Sequence, residues 1–431
     1  MTVICSQYIC PKRTISCRKL SARQTAVVPM RAKKCPVKTI VLLTEKPSDI
    51  VEMSLSDLYK GGSANMKKIT VLFFSTVLIL CFLASGAFAA KNKKEQPDPD
   101  RVYDYETVDV ISTADIFDQA VEFPVMPEGY NTYPTGHEGT IDRIYYTTDA
   151  YDDGVEYKKY VTVYLPYGYD PDDKDTKYNV LYFQHGNQNS PNQLWDRPSQ
   201  NFNPKQMVDN LFDPDHQAME PFIIISPTYY FDIGKKTRYI ADGNIPAGDG
   251  RTEGIPGNYY REIVEDLIPQ IESQYNVYCE DFSEEGIKAS RDHRAFCGYS
   301  RGSVCTWNIM HNDFEYFRYF IPMSANICPE NMVLSDGMQA FTPEESYAYI
   351  EEAVLAHPDL DFFLFATAGG EEDGAGQGMI PQMQEFYKHP EVFSFGTDPE
   401  QNNFYFALSE FPHMDLIVPY SWYAVKDILF H

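Results

Sequence analysis

The sequence has little positive charge for its size, and this excludes several kinds of partner. Its 431 residues carry 36 Lys and Arg against 62 Asp and Glu, which gives a formal net charge of -26. A chain this acidic repels nucleic acids and anionic membrane surfaces, because both carry negative charge themselves. We therefore expect no nucleic-acid partner.

Cysteine is scarce after residue 89, in the part of the chain that is expected to fold into a domain. Only four of the nine cysteines follow residue 89, and they are Cys279, Cys297, Cys305 and Cys328. Four are too few to form the framework of so large a domain. We expect Cys297 and Cys305 to be buried small apolar side chains rather than ligands or nucleophiles. The sequence leaves the pairing of the four open.

Long apolar runs are rare as well, and the main one is Ile69 to Leu83. It follows the basic start Met66-Lys67-Lys68 and precedes Ala87-Phe88-Ala89, an A-x-A cleavage site. This order is typical of a bacterial secretory signal peptide, and the run is short for a transmembrane helix. We predict cleavage near Ala89-Ala90, secretion, and no stable membrane anchor after cleavage.

The residues on either side of this signal divide the chain. Residues 1–65 are basic and lack periodic apolar patterning, so we hypothesise that Met66 is the true start and that residues 1–65 are upstream sequence. The alternative is a real N-terminal extension with an internal anchor helix. Residues 90–135 are polar and rich in Asp and Pro, which predicts an arm or linker of undefined role. Residues 136–431 are expected to form one domain.

Apolar segments alternate with amphipathic ones through this domain, which has ample material for a core, since 43% of the chain is hydrophobic and 14% aromatic. Strands that are apolar throughout and alternate with helices predict an α/β fold, with a mainly parallel central sheet and helices on both faces. The first two strands, near residues 143–146 and 160–165, are expected to form an antiparallel edge pair. The other predicted strands are 178–183, 222–226, 294–297, 319–323, 361–367 and 403–408. The predicted helices are 205–211, 259–275, 303–310, 343–356, 382–387 and 420–429.

The segment Gly298-Tyr299-Ser300-Arg301-Gly302 carries the pattern G-x-S-x-G between a predicted strand and a predicted helix. In that setting the pattern forms a sharp turn that exposes the serine hydroxyl on a strained backbone. Gly298 and Gly302 flank the turn, where a Cβ atom would collide with the neighbouring chain. Ser300 is therefore the candidate nucleophile.

A serine hydroxyl needs a base to take its proton, and the base needs an acid to orient it. In this type of fold, the acid follows the next-to-last strand and the histidine follows the last. These positions select Asp373 and His413, with Glu371 and Glu372 as neighbouring alternatives for the acid.

A site built on a serine nucleophile also needs donors for the oxyanion and a surface for the substrate. Backbone N–H groups of Asn187 and Arg301 are the expected oxyanion donors, and His185 is expected to be structural. Trp195, Tyr229 and Tyr230 are candidates for stacking on a sugar or phenolic ring, the alternative being that they pack the loop at residues 229–256 onto the body.

Several motifs together resemble one known family. They are His185-Gly186, Asn258-Tyr259, the segment Leu267-Ile268-Pro269-Gln270-Ile271-Glu272, the segment Ser290-Arg291-Asp292-His293-Arg294-Ala295, the serine turn and His413. Over about residues 139–431 the sequence is similar to the esterase D and feruloyl esterase group, carbohydrate esterase family 1. The usual serine turn of that family, Gly-Leu-Ser-Met-Gly-Gly, is altered here at Tyr299, Arg301 and Ser303. Asn187-Gln188-Asn189 stands where the family usually has extra glycines.

The resemblance implies an α/β-hydrolase fold, no cofactor, and cleavage of acyl esters, often feruloyl or acetyl groups on xylan. We therefore expect a secreted serine esterase whose partner is an esterified plant polysaccharide or oligosaccharide. No metal is expected, because the acidic run Asp170 to Asp175 lacks an EF-hand pattern. The alternatives are a non-catalytic carbohydrate-binding relative, and an acyltransferase or peptidase on the same fold.

Overall fold

The structure is a computed structural model, which describes residues 39–43, 50–54, 110–111, 126–131, 134–151, 154–187, 189–196, 203–216, 218–230, 259–328, 340–370, 373–409 and 411–431. The chain divides into two units, Met1–Arg101 and Val102–His431. In the first unit, β1 (Thr39–Leu43) and β2 (Ile50–Ser54) form an antiparallel pair. The predicted signal peptide, residues 66–89, lies outside the described residues.

The second unit is built on one sheet, to which nine of the described strands belong. Its strands are β3 Val110–Ile111, β4 Thr140–Thr148, β5 Tyr157–Leu165, β6 Val180–Gln184, β7 Ile223–Ser226, β8 Arg294–Tyr299, β9 Tyr319–Met323, β10 Phe363–Ala368 and β11 Phe404–Ser409. Their order across the sheet is β3-β11-β10-β9-β8-β6-β7-β5-β4. The pairs from β7 through β6, β8, β9 and β10 to β11 are parallel. The predicted mainly parallel sheet and its antiparallel β4–β5 edge are therefore confirmed.

Helices cover both faces of this sheet. They are α1 Pro204–Leu211, α2 Tyr259–Arg261, α3 Ile268–Glu272, α4 Glu284–Ala289, α5 Arg301–Asn312, α6 Pro343–Ala356, α7 Met379–Tyr387 and α8 Ile417–Ala424. α8 begins before its predicted start because Pro419 fits in a first helical turn, where its missing N–H costs no hydrogen bond. Within the described residues, no helix is both long and apolar enough to cross a bilayer.

Alternation along each strand produces two cores. On β6, Val180 and Tyr182 point to one face, while Leu181 and Phe183 point to the other. α5, α6 and α7 bury their apolar faces in the first core, and α1 and α8 bury theirs in the second. Because both faces are covered, these central strands are mainly apolar, and polar residues such as Gln184 and Arg294 stand at their ends.

The polar arm predicted over residues 90–135 contributes more to the fold than its composition indicates. β3 pairs antiparallel with β11 and extends the sheet at that edge. Met126 and Tyr130 are buried in the second core, and the side chain of Asn210 donates a hydrogen bond of 3.0 Å to the carbonyl of Tyr130. The expectation of an arm with little core is therefore wrong for these residues, because two well-placed apolar side chains are enough to anchor a polar segment.

The helix predicted over residues 259–275 has a change of register at its centre. α2 passes into the π-helical segment Glu262–Leu267, where the N–H of Ile268 bonds to the carbonyl of Ile263, before α3 continues. Pro269 has no N–H to donate and its ring clashes with the carbonyl four residues earlier in an α-helix. A wider turn before the proline relieves both problems.

Candidate active site

The serine turn joins β8, the central strand of the parallel group, to α5. Ser300 has φ 57° and ψ -120°, and its N–H donates a hydrogen bond of 2.8 Å to the carbonyl of Met323 on β9. A residue other than glycine rarely occupies positive φ, and such strain is concentrated at functional sites. The strained turn predicted from G-x-S-x-G is thus confirmed, and Ser300 within it is half-buried.

Both glycines of the turn are required by close contacts between main chains. A Cβ atom at Gly298 would overlap the carbonyl oxygen of Gly302, and one at Gly302 would overlap the carbonyl oxygen of Gln184. The turn can therefore lie tightly against the end of β6 only with glycine at these two positions. This confirms the role predicted for them from the sequence.

Three predicted side chains converge at the carboxyl edge of the sheet. Nε2 of His413 lies 2.9 Å from Oγ of Ser300, and Nδ1 of His413 lies 2.7 Å from Oδ1 of Asp373. Asp373 follows β10 and His413 follows β11, so parallel neighbours deliver both groups to one edge. This arrangement can move the Ser300 hydroxyl proton to His413 while Asp373 stabilises the resulting imidazolium.

Asp373 is fully buried, but its hydrogen bonds keep its carboxylate ionised. Its carboxylate accepts hydrogen bonds from the N–H groups of Gly369 at 2.7 Å and Gly376 at 3.0 Å, in addition to His413. Burial alone would raise the pKa of Asp373, but the His413 ring and these two N–H groups outweigh it and hold the pKa below its usual range. A permanent carboxylate fixes the proton of His413 on Nδ1 and leaves Nε2 as the acceptor facing Ser300. Glu371 and Glu372 lie outside the described residues.

The turn that follows β6 lies beside the serine turn. Gln184 pairs with Gly298 in the sheet, and a Cβ atom at Gly186 would lie 3.3 Å from the Cβ of Ser300. His185 donates from Nδ1 to the carbonyl of Gly186 at 2.8 Å, and the Thr228 hydroxyl donates to its Nε2 at 2.7 Å. These roles are those of a neutral ring, which burial favours by lowering the pKa of His185 to about 3.

His185 also determines the orientation of the next N–H group. In a trans peptide the carbonyl of one residue and the N–H of the next point in opposite directions. Since His185 holds the carbonyl of Gly186, the N–H of Asn187 must point away from the His185 ring. The side chain of Asn187 accepts a hydrogen bond of 3.2 Å from the Tyr230 hydroxyl. The other predicted donor, the N–H of Arg301, belongs to the first turn of α5, where N–H groups lack intrahelical partners.

The three aromatic residues predicted to meet the substrate are buried instead. The ring of Trp195 is 8% exposed, stacks on Tyr164 at 5.4 Å between centroids, and donates from Nε1 to the Ser226 hydroxyl at 3.2 Å. Tyr229 and Tyr230 are at most 1% exposed and their rings pack beside His185. The positions of these rings favour packing over substrate stacking. Residues 231–258 of the predicted binding loop lie outside the described residues.

Tyr299, which the sequence marked only as a departure from the usual serine turn, also lies at the site. Its ring lies 5.0 Å from that of His413, and burial together with the Asp415 and Asp373 carboxylates raises its pKa. The hydroxyl therefore stays neutral. Its position immediately before the nucleophile was the only available signal.

Among the described residues, the thiols do not compete with Ser300 as nucleophiles. Cys279, Cys297, Cys305 and Cys328 are all buried and unpaired, and burial raises the pKa of each thiol. A potential cation cluster lies elsewhere, formed by His137, Asp213 and Asp215. Nδ1 of His137 already lies 3.3 Å from Asp213, whose carboxylate also accepts the N–H of Asp215.

Comparison with known proteins gives matches over most of the second unit. The family model described as "Putative esterase" matches residues 155–387. Endo-1,4-beta-xylanase Y of Acetivibrio thermocellus is 30% identical over 299 residues, which is 68% of this chain but only 23% of the xylanase. The feruloyl esterase module from Clostridium thermocellum, solved as a serine-to-alanine mutant complexed with sinapinate, aligns with a TM-score of 0.56 at 28% identity. That alignment covers 75% of this chain and 97% of the module.

Proposed function

Since the chain belongs to the esterase family, in its feruloyl esterase–esterase D group of α/β-hydrolases, we propose that it is a secreted serine esterase. Its proposed substrates are feruloyl or acetyl esters on plant cell-wall polysaccharide such as xylan. The observation that carries the proposal is the continuous hydrogen-bonded chain from Ser300 through His413 to Asp373, set on a strained turn.

The acylation step follows from the positions of these three side chains. As Oγ of Ser300 attacks the acyl carbon, Nε2 of His413 takes the hydroxyl proton, and Asp373 stabilises the imidazolium. The carbonyl oxygen gains negative charge, which the N–H groups of Asn187 and Arg301 and the N-terminus of α5 stabilise. His413 then gives its proton to the leaving sugar oxygen, and the saccharide departs with a free hydroxyl.

Deacylation repeats the same steps with water. His413 takes a proton from water, the hydroxide attacks the acyl carbon of the Ser300 ester, and the same N–H groups hold the second oxyanion. The proton returns to Oγ of Ser300, and the carboxylic acid is released. Removing one such oxyanion donor costs about 100- to 1,000-fold in kcat in a serine hydrolase.

The substrate class is proposed from two kinds of support. One is the similarity to a feruloyl esterase module complexed with sinapinate and to a protein named as a xylanase. The other is the signal sequence at residues 66–89, which would place the enzyme where polymeric substrates are found.

The decisive experiment compares kcat/KM on feruloylated and acetylated xylo-oligosaccharides with kcat/KM on simple aryl acetates. We expect a clear preference for the saccharide esters. A preference for the bare aryl esters would contradict the saccharide assignment and leave a general esterase. Labelling of Ser300 by a fluorophosphonate tests the serine mechanism separately, since a non-catalytic carbohydrate-binding relative would not react.

Export has its own test. The mature protein recovered from the medium should begin at or near Ala90 in mass spectrometry of its N-terminal peptide. Peptides from residues 1–65 in the mature protein would contradict the hypothesis that Met66 is the start.

A further inference from the structure

One side chain joins the two loops that carry the separate halves of the proposed site. Gln193 is 2% exposed and lies just beyond the His185–Asn187 turn. Its Oε1 accepts the N–H of Gly186 at 2.8 Å, and its Nε2 donates to Oδ2 of Asp415 at 3.1 Å. Asp415 stands two residues after His413. Gln193 therefore connects the proposed oxyanion loop to the loop of the proposed base.

The chemistry at the two ends of this bridge calls for an amide. The Gly186 N–H can only donate, and the Asp415 carboxylate can only accept, so the side chain between them must present one acceptor and one donor. Glutamine supplies both on a single rigid group. An ionised glutamate would satisfy Gly186 but would place a second negative charge against Asp415.

The backbone around Gln193 is itself held in place. The N–H of Gln193 donates to the carbonyl of Ser190 at 3.0 Å, and the adjacent Asn192 accepts a hydrogen bond of 2.6 Å from the Thr162 hydroxyl on β5. The bridge is thus anchored to the sheet rather than to a free loop.

Together with His185, the bridge holds the two peptide units on either side of Gly186. Gln193 accepts a hydrogen bond from the N–H of Gly186, and His185 donates one to the carbonyl of Gly186. The orientations of both peptide planes around Gly186 are therefore fixed. Those planes determine where the next N–H, that of Asn187, points. A change at Gln193 would therefore alter the oxyanion donor and the position of His413 together.

We propose that Gln193, through Asp415, is a positioning residue that sets the oxyanion donor of the Asn187 turn against His413. The inference rests on the proposed serine esterase function. Because it concerns the geometry of the reacting groups and not the contacts with saccharide, it predicts an effect on kcat with little effect on KM.

The test uses Gln193→Glu, Asp415→Asn and the double variant, with a simple aryl acetate as substrate. Gln193→Glu opposes two carboxylates, and we expect kcat to fall by about tenfold to a hundredfold, approaching the cost of a lost oxyanion donor, with KM changed by less than about threefold. Asp415→Asn keeps an acceptor oxygen for Gln193 and should lose only a few-fold. In the double variant, the new amide at position 415 can donate to the new carboxylate at position 193, so kcat should recover at least about tenfold over Gln193→Glu.

A buried glutamine elsewhere provides the matched control. Gln382 accepts the N–H of Ile327 at 2.8 Å and donates to the carbonyls of Ile327 at 3.1 Å and Phe341 at 3.0 Å, and neither partner belongs to either loop. Gln382→Glu makes the same chemical change in another buried position, so it should lower the melting temperature and leave kcat of the folded enzyme near wild type.

The outcomes separate this inference from the function on which it rests. An active wild type whose Gln193→Glu variant keeps full kcat would overturn the bridge alone, and so would a folded double variant no better than Gln193→Glu. A wild type that neither hydrolyses aryl esters nor reacts with a fluorophosphonate would overturn the proposed esterase function and the bridge with it.

Discussion

The backbone of Ser300 is held in a conformation that glycine adopts far more easily than serine does. Strain of this kind costs about 1–3 kcal/mol and persists only where surrounding contacts enforce it. Here the Ser300 N–H is tied to β9 and the flanking glycines are packed against neighbouring main chain. Substitution can separate the effect of this strain on stability from the effect of the hydroxyl on turnover.

Ser300→Ala and Ser300→Gly should both abolish turnover but differ in stability. Loss of the nucleophile in related chemistry costs about a million-fold in kcat. Alanine keeps the strained Cβ, whereas glycine removes it, so Ser300→Gly should melt a few degrees higher than Ser300→Ala. Turnover with purified protein and thermal denaturation measure the two effects. More than a trace of activity in either variant would mean that Ser300 is not the nucleophile.

Asp373→Asn should reduce turnover steeply while the fold remains. An amide at this position stabilises the wrong tautomer of His413, which in a serine protease costs about ten-thousand-fold. Glu371→Gln and Glu372→Gln serve as controls and should cost far less. If one of them were the more damaging change in steady-state assays, the acid role would pass to that residue.

His185 should make the protein less stable in mild acid. Its pKa is lowered from 6.5 to about 3 in the folded protein. At pH values between these two, the unfolded chain therefore binds a proton at His185 and the folded protein does not. The stability it contributes is complete above pH 6.5 and is lost as the pH falls toward 3. Between pH 6.5 and 4.5 this one ring should remove about 2 kcal/mol from the free energy of unfolding.

Urea denaturation at several pH values measures this effect, with His185→Gln as the comparison. The variant should be less stable at neutral pH but should lose less stability on acidification, because it cannot take up the proton. Parallel pH profiles for the two proteins would show that His185 is not the linked group.

At the scale of elements, the strands were predictable because each central strand is covered on both faces and therefore reads as an apolar run. β9 was found with its full range, residues 319–323, and α6 with residues 343–356. α4 was missed because its six residues are too few to show a helical period. The π-helical turn at residues 262–267 was missed because its cause, Pro269, normally indicates the end of a helix instead.

That π-helical turn places a buried ion pair beside the sheet. Nζ of Lys159 lies 2.6 Å from Oε1 of Glu262, and the hydroxyls of Tyr146 and Tyr151 also donate to this carboxylate. Both charged side chains are at most 1% exposed. Removing one partner leaves an uncompensated charge in the core.

Lys159→Met should therefore lower the free energy of unfolding by about 3–5 kcal/mol. The double variant Lys159→Met with Glu262→Gln should recover a large part of this loss, because the glutamine is neutral and its oxygen still accepts from the tyrosines. Chemical denaturation of the single and double variants measures the coupling. Equal losses in the two would mean that the charge of Glu262 is not what makes Lys159 necessary.

At the scale of the whole molecule, the sequence could locate Ser300, Asp373 and His413 because each follows a strand of the parallel sheet in a known order. Parallel strands bring their carboxyl ends to one edge, so chain position alone predicts convergence. The Gln193–Asp415 contact has no such signal, since its residues lie 222 positions apart in irregular loops. Tyr229 and Tyr230 lie beside His185, but composition cannot tell a buried ring from an exposed one.

Residues 90–135, the predicted polar arm, should contribute to the stability of the domain that follows them. A protein beginning at Ala90 keeps β3, Met126 and Tyr130, so it should be folded and fully active. One beginning at Gly136, the boundary that composition indicates, loses all three. Burial of a large apolar side chain contributes about 1.5–3 kcal/mol, so the loss of Met126 and Tyr130 should lower the free energy of unfolding by about 3 kcal/mol or more. The paired variant Met126→Ala with Tyr130→Ala in the longer protein is the control, and it should reproduce most of that loss. Equal melting temperatures for the proteins beginning at Ala90 and Gly136 would show that residues 90–135 are the linker their composition predicts.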